Sequence, residues 1–346
     1  TGGTPPAGMA GSGGSAGSAQ TAAGSGGQPI GGQPPATGGG GGMASGGSAG
    51  TAPTGGTPGT GGAGGTTSGG SAGSGGTGGG GFWGPNGPKK QWTCPAGPFG
   101  QQQRSNQQTV CQGFAFHHAY SEGPTWIASQ NAFFFSNFIQ GGNSGGDIIK
   151  YTPGGSCEIW LEGVGCNGLG VSPSGNLLGA CHGQEAVMEY DLTTKVGRKI
   201  ATMAGGKNLN SPNDLVAHSN GTIFFSNTDY EEKDDVQNPL DFALVRIDPM
   251  GVTSVVEMGG LNGLALSPDE KKLHVVGMGV WDLDDNGVPM QKNGGAPGGD
   301  GIAMDCAGNV TEDRTNSAYG GPDGKTLIVV QGTTVRTWSV TIPGLP

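Results

Sequence analysis

"SPNDLVAHSNGTIFFSN", Ser211 to Asn227, places an Asn-Asp pair directly before an apolar run. Turn residues commonly open strands, so taken alone the pair is punctuation. Two other stretches align with it: "NGLGVSPSGNLLGA" from Asn167 and "NGLALSPDEKKLHVV" from Asn262. Each begins with Asn, continues through small or apolar residues, turns, and enters a second apolar run, which is the pattern of a β-hairpin. "DGIAMDCAGNV" from Asp300 follows the same plan, with Gly308 standing where Gly175 and Gly221 stand in their units. "EGPTWIASQNAFFFSN" from Glu122 fits without that glycine, and "NSAYGGPDGKTLIVV" from Asn316 keeps the Pro-Asp turn of the Asn262 unit.

From Glu122 the first five unit starts are spaced by 45, 46, 49 and 38 residues. No segment carries a helical period, so the fold class is all-β. Strand-built repeats of about 40–50 residues indicate a β-propeller with about four strands per blade, and six units predict six blades. Innermost strands line a propeller's channel, so one position repeated in each blade forms a ring around the axis. The ring reads Glu122, Asn167, Asn213, Asn262, Asp300, Asn316, and every member offers a side-chain oxygen. Carboxylates facing one channel repel and lose hydration unless a cation lies between them. Oxygen-only ligands suit a hard cation. Asn and Asp also bond their own backbone at turns, which is a sufficient account of Asn167 and Asn316. It does not account for Glu122, a poor turn former.

Composition divides the chain. It has 346 residues, 77 of them Gly, and residues 1–81 hold no charged and no aromatic side chain. Such a segment buries too little apolar surface to offset ordering entropy of about 1–2 kcal/mol per residue, so it reads as a disordered low-complexity linker. Residues 82–346 carry all the aromatics and the whole formal charge of −10, enough for one large β domain. No basic cluster exists to attract nucleic acid, and no apolar run approaches the roughly 20 residues of a membrane span. The sequence opens on Thr1 rather than Met, and a long Gly/Ser/Thr tether before a folded domain looks like the stalk of a bacterial surface lipoprotein whose anchoring cysteine lies upstream. An extracytoplasmic monomer is therefore expected. Six cysteines without a C-x-x-C pair disfavour a zinc ribbon and suggest disulfides, with Cys94–Cys111 and Cys157–Cys166 the first pairings to try.

The stretches "EGPTW", "NGLGVSPSGNLL", "LNSPNDLVAHSNGTIFFSN", "NGLALSPDEKKLHVV", "GDGIAMDCAGNV" and "AYGGPDGKTLIVV", in this order, resemble the SMP-30/gluconolactonase/LRE-like family of six-bladed propeller lactonases. The resemblance runs from Glu122 to the end of the sequence. It implies one divalent cation, calcium first, with magnesium, manganese or zinc as alternatives. Its implied ligands are Glu122 of the E-G-P motif, Asn213 of the N-D motif, Asn262 of the N-G-L motif and Asp300 of the D-G motif. Asp214 would bond backbone behind them. The implied reaction is hydrolysis of a lactone or related sugar-acid ester by a carboxylic ester hydrolase, with the cation polarising the carbonyl and Asp300 activating water. Asn213 would orient the substrate, with Asn167 and His182 as further substrate contacts. His182 has a competing reading as a packed histidine. No G-x-S-x-G nucleophile motif occurs, in agreement with direct attack by water.

Three departures from the family stand out. Asp300 to Asn316 is only 16 residues, so one blade is shortened near 301–316, with outer strands missing around Thr311 to Thr315. The 38-residue spacing and "VVGMGVWDLDDNGVPM" suggest a trimmed neighbouring blade. "SNTDYEE" replaces the family's usual T-D-P-x-Y-G, so a loop on the substrate side differs. A non-catalytic propeller that binds a sugar or a protein is the alternative function. "DLDDNGVP" lacks the closing Glu of a calcium loop and reads as a solvated acidic turn.

Overall fold

Phe133, Phe134 and Phe135 are consecutive and all fully buried, which a strand permits only when both its faces are covered. In this computed structural model, which describes residues 81–84, 86–140, 145–231, 236–312 and 316–346, both faces are covered by neighbouring sheets. Phe134 enters a core shared with Leu169, Leu177 and Tyr190 of the following sheet, while Phe133 and Phe135 enter one shared with Ile328 and Val330 of the preceding sheet. Phe224 and Phe225 divide in the same way between the cores on either side of their strand. Continuous apolar runs here are therefore the mark of sheets stacked face to face around an axis.

The described residues form a β-propeller of six sheets. Blade 1 is built from Tyr120–Ile127, Ala132–Phe138, Asp147–Tyr151 and Cys157–Leu161. Blade 2 comprises Leu169–Val171, Leu177–Cys181, Ala186–Tyr190 and Gly197–Ala201. Blade 3 comprises Ser211–Ala217, Ile223–Thr228, Ala243–Ile247 and Thr253–Met258. Each is an antiparallel sheet in chain order. The innermost strand of each blade contacts that of the next, and the strand Asn316–Gly320 of blade 6 contacts Tyr120–Ile127 of blade 1, which closes the ring. Blade 6 itself is completed from a distance. Its strands Asn316–Gly320, Thr326–Gln331 and Thr334–Val340 take Arg104–Val110, which precedes blade 1, as their outermost neighbour.

Blade 5 is the short one. It holds only Ile302–Met304 paired with Val310–Glu312. Two other segments cover its exposed parts. Residues near the end of the sequence fold back, with Leu345 N–H donating to the Met304 carbonyl at 2.9 Å and Cys306 N–H to the Pro343 carbonyl at 2.8 Å. The lead-in before blade 6's outer strand is fastened there by the Cys94–Cys306 disulfide. The ring is closed despite the missing strands because chain from both sides of the repeat stands in for them.

The expected trimming of blade 4 is not observed. Leu264–Leu266, Lys272–Val275, Gly279–Leu283 and Pro289–Asn293 make a full four-stranded sheet. Its strands are short and its turns tight, one of them using Gly277 at φ 78°, so 38 residues suffice. "DLDDNGVP" is the acidic turn expected: Asp284 Oδ1 accepts the Asn286 and Val288 N–H groups. The local disulfide pairings are overturned. The bonds are Cys94–Cys306, Cys111–Cys157 and Cys166–Cys181. Sequence proximity misled because each bond joins positions that sheet pairing or ring closure brings together. Cys166 and Cys181 flank the Asn167 N–H to Ala180 carbonyl bond of blade 2, and Cys111 ends the strand that closes blade 6 beside blade 1. The linker expected over residues 1–81 lies outside the described residues except for Gly81.

Candidate active site

Glu122 and Asn213 sit at β-bulges, where the pairing register shifts between Glu122 and Thr125 and between Pro212 and Leu215. A bulge leaves residues unpaired and re-aims a side chain, which is how an otherwise regular inner strand presents one polar group to the channel. In blades 2 and 4 the ladder starts early instead, with Asn167 N–H donating to the Ala180 carbonyl (2.8 Å) and Asn262 N–H to the Val276 carbonyl (3.3 Å). The ring is stitched from blade to blade. Gly168 N–H donates to the Asn213 carbonyl at 2.6 Å and Gly263 N–H to the Asp300 carbonyl at 3.0 Å.

That stitching explains the Gly following most ring residues. A Cβ on Gly123 would lie 2.4 Å from the Asn167 carbonyl oxygen, and one on Gly263 2.5 Å from that of Asp300. At Gly301 it would lie 2.1 Å from Asn316 Cγ. Gly301→Ala is therefore expected to push the Asn316 amide out of place and to cost about 1–3 kcal/mol by overpacking, read by thermal unfolding.

Glu122, Asp214 and Asp300 form a carboxylate cluster at the ring. Glu122 is 5 % exposed and its carboxyl is held well above the ordinary range, first by burial, then by the charges of Asp300 and Asp214. The Asn316 amide and the Gly123 N–H oppose that shift by bonding the charged form. Burial likewise raises Asp300, against the Asn262 amide, whose Nδ2 donates to Asp300 Oδ1 at 2.5 Å. An amide that donates through Nδ2 keeps Oδ1 as its acceptor end, so Asn262 can fix Asp300 and still offer oxygen to a ligand. Asp214 is pushed up to about 7, chiefly by burial. It accepts the Leu215 N–H at 2.8 Å and bonds the Leu264 N–H and the Asn316 amide, tying blades 3, 4 and 6 together.

Asp214 also predicts a pH dependence. Its folded value lies above the unfolded carboxylate value near 3.9, so the folded chain retains the proton between the two. The resulting stability is fully present below about pH 4 and lost as pH rises through about 7. Chelator-treated protein should lose stability over that interval relative to Asp214→Asn, measured as the difference between their denaturant midpoints at each pH.

The structure brings Glu122, Asn262, Asp300 and Asn316 together with Asp214. Asn213 and Asn167 occupy their ring positions, 4 % and 7 % exposed. His182 does not line an open wall. It is fully buried in a single-turn helix after the second strand of blade 2, edge-on to Phe138 with ring centres 5.1 Å apart. Asn316, explained from sequence as a turn cap, bonds two of the carboxylates in addition to accepting its neighbour's N–H. Three residues near the ring were not expected. Tyr120, two residues before Glu122, feels the charges of Glu122, Asp300 and Glu231. Tyr230 and Glu231 follow blade 3's second strand and are both influenced by Asp300. Glu231 is buried and takes a 3.0 Å hydrogen bond from Ser211 Oγ. The only signal of Tyr230 and Glu231 in the sequence was the altered "SNTDYEE", and Tyr120 had none.

The donor set fits a hard divalent cation. Buried Glu122 and half-buried Asp300 repel each other, and the amides of Asn262, bonded to Asp300, and of Asn213, at its own ring position, would make the donor set all oxygen. Among the described residues no three His, Cys, Asp or Glu side chains converge as metal ligands by themselves, so the amides are needed. No helix among the described residues is long and apolar enough to cross a membrane.

Comparison with known proteins agrees with this geometry. The family described as SMP-30/Gluconolactonase/LRE-like region matches residues 120–312. A gluconolactonase of Zymomonas mobilis is 29 % identical over 255 residues, covering 62 % of this chain and 70 % of its own. Among solved structures, a Xanthomonas campestris gluconolactonase superposes with a TM-score of 0.54 at 22 % identity, over 64 % of this chain and 86 % of that one. The calcium-binding protein regucalcin of Agrobacterium tumefaciens gives 0.52 at 15 %, over 68 % and 94 %. At these identities the structural matches speak for the fold.

Proposed function

Because the chain belongs to the SMP-30/gluconolactonase/LRE-like family, we propose that it is a metal-dependent lactonase, a carboxylic ester hydrolase acting on an aldonolactone or similar sugar-acid lactone. The observation that carries this reading is the oxygen cluster at the channel ring, buried Glu122 with half-buried Asn262 and Asp300, with Asn213 at the matching ring position of blade 3. A divalent cation held by Glu122, Asn213, Asn262 and Asp300, calcium first, would supply Lewis-acid polarisation of the lactone carbonyl.

The chain's own groups do the rest. Asn262 fixes the orientation of Asp300 through the Nδ2 to Oδ1 bond. Asp300 takes a proton from the water that attacks the carbonyl carbon. The ring C–O bond then breaks, and the proton returns to the departing alkoxide to leave the open hydroxy acid. Asn213 orients the carbonyl or a sugar hydroxyl, with Asn167 beside it on the ring. His182 contributes by packing against Phe138. Asn316 and the Gly123 N–H bond Glu122 and partly offset the burial and the neighbouring charges that disfavour its ionised form. Tyr120 and Tyr230, both of which feel the charge of Asp300, are further substrate contacts in this reading.

The test is proton release from a panel of aldonolactones, with and without chelator. Turnover should vanish with chelator and return on adding calcium, magnesium, manganese or zinc, one of them best. Turnover indifferent to chelator would refute the metal mechanism. Absence of turnover while calorimetry still shows cation binding would favour a sugar- or protein-binding propeller. We also propose an extracytoplasmic location and a monomer; the location is supported by the engagement of all six cysteines in disulfides.

A further inference from the structure

The ring residues stand near the N-terminal ends of the inner strands, and the same strands continue past them into a second chamber. Its volume is about 140 Å³, and its lining comes from all six blades. The wall is largely apolar, including Leu169, Leu215, Leu264, Ile302, Met304 and Leu345. Residues 89–91 border its far end. Lys89 N–H and the Gln91 side chain bond the Pro173 carbonyl at 2.9 and 3.3 Å, and Lys90 pairs with Glu270 at 3.3 Å.

Two polar atoms in this lining lack protein partners. Ser317 Oγ belongs to a residue only 4 % exposed, and Trp92 Nε1 is likewise buried without an acceptor. Buried polar groups are ordinarily hydrogen-bonded, so this pair marks a place built for a ligand atom. Nothing in lactone hydrolysis at the ring uses either residue. The indole N–H can only donate, whereas a hydroxyl donates and accepts. A ligand hydroxyl can accept from Trp92 Nε1, and it can donate to Ser317 Oγ. The largely apolar wall disfavours an anion by stripping its hydration. An apolar cavity of about 150 Å³ accommodates benzene.

We propose that this distal chamber is a second binding site, for a small neutral molecule with an apolar body of about benzene size and one hydroxyl group. Phenol, toluene and benzoate serve as probes, titrated by calorimetry into the chelator-treated whole chain. Phenol should bind saturably, about tenfold more tightly than toluene or benzoate. Trp92→Phe and Ser317→Ala should each weaken phenol about fivefold and leave toluene unchanged. Trp92→Phe should hydrolyse lactones at the unaltered rate, and excess sugar acid should not displace phenol. Absence of saturable phenol binding would mean that the chamber holds water alone and would overturn the proposal. So would phenol and toluene binding equally, or phenol affinity indifferent to both substitutions. The proposal stands or falls separately from lactonase activity, since the deciding phenol and toluene titrations need neither the cation nor turnover.

Discussion

Asp300→Ala lowers kcat for lactone hydrolysis by about 10³-fold or more, and Asp300→Asn does nearly the same while keeping the fold. A positioned general base contributes roughly 10²–10⁴-fold, and this substitution also removes one of two anionic ligands proposed for the cation. The Asn variant separates shape from charge. Its side-chain oxygen can still accept from Asn262 Nδ2, so the bond seen at 2.5 Å has a replacement. The loss should appear in kcat more than in KM, because substrate contacts at Asn213 and the tyrosines remain. Calorimetry should show cation affinity falling in both variants. With chelator present, Asp300→Asn should unfold at a higher temperature than the parent, since the charge that disfavours ionised Glu122 is gone. A variant that retains more than about a tenth of parental kcat would remove Asp300 from the reaction.

Much of the fold was legible because a propeller repeats its instructions. The Asn-led hairpins at Asn167, Asn213 and Asn262 set the blade period, and the glycine after each of Glu122, Asn167, Asn262 and Asp300 records how closely the next blade approaches, through its backbone at the first three and through the Asn316 side chain at the last. The short fifth blade was visible as a 16-residue step. What repaired it was not, because the repair uses segments outside the repeat. Leu345 and Cys94 reach blade 5 from opposite ends of the domain, and no periodicity marks such a contact. At the site, Glu122 stood out because a glutamate had no reason to open a turn. Asn316 was concealed because an asparagine does: it accepts its neighbour's N–H as a turn cap would, and only the fold shows its amide also reaching Glu122 and Asp214. Glu231 and Tyr230 were hidden for a different reason. They lie after a strand end, where position around the ring depends on the loop's path and not on strand register.

Replacing Cys94 and Cys306 together by Ser should cost more stability than removing either other disulfide. The bond spans 212 residues, against 46 for Cys111–Cys157 and 15 for Cys166–Cys181. Chain-entropy scaling gives about 5 kcal/mol for the longest loop and about 3 kcal/mol for the shortest. The location adds to the effect. Blade 5 pairs only two strands of its own, so loosening the segment fastened to Cys306 exposes the sheet that follows directly from Asp300. Blade 2, which holds Cys166–Cys181, has four strands and no such dependence. The double Ser variant at 94 and 306 should therefore lose cation affinity and turnover at temperatures where the variant at 166 and 181 retains both. Denaturant midpoints and cation calorimetry on the two variants decide the matter. Equal losses would show that the ring is held by its inner strands alone, and that the lead-in and the returning chain merely cover blade 5.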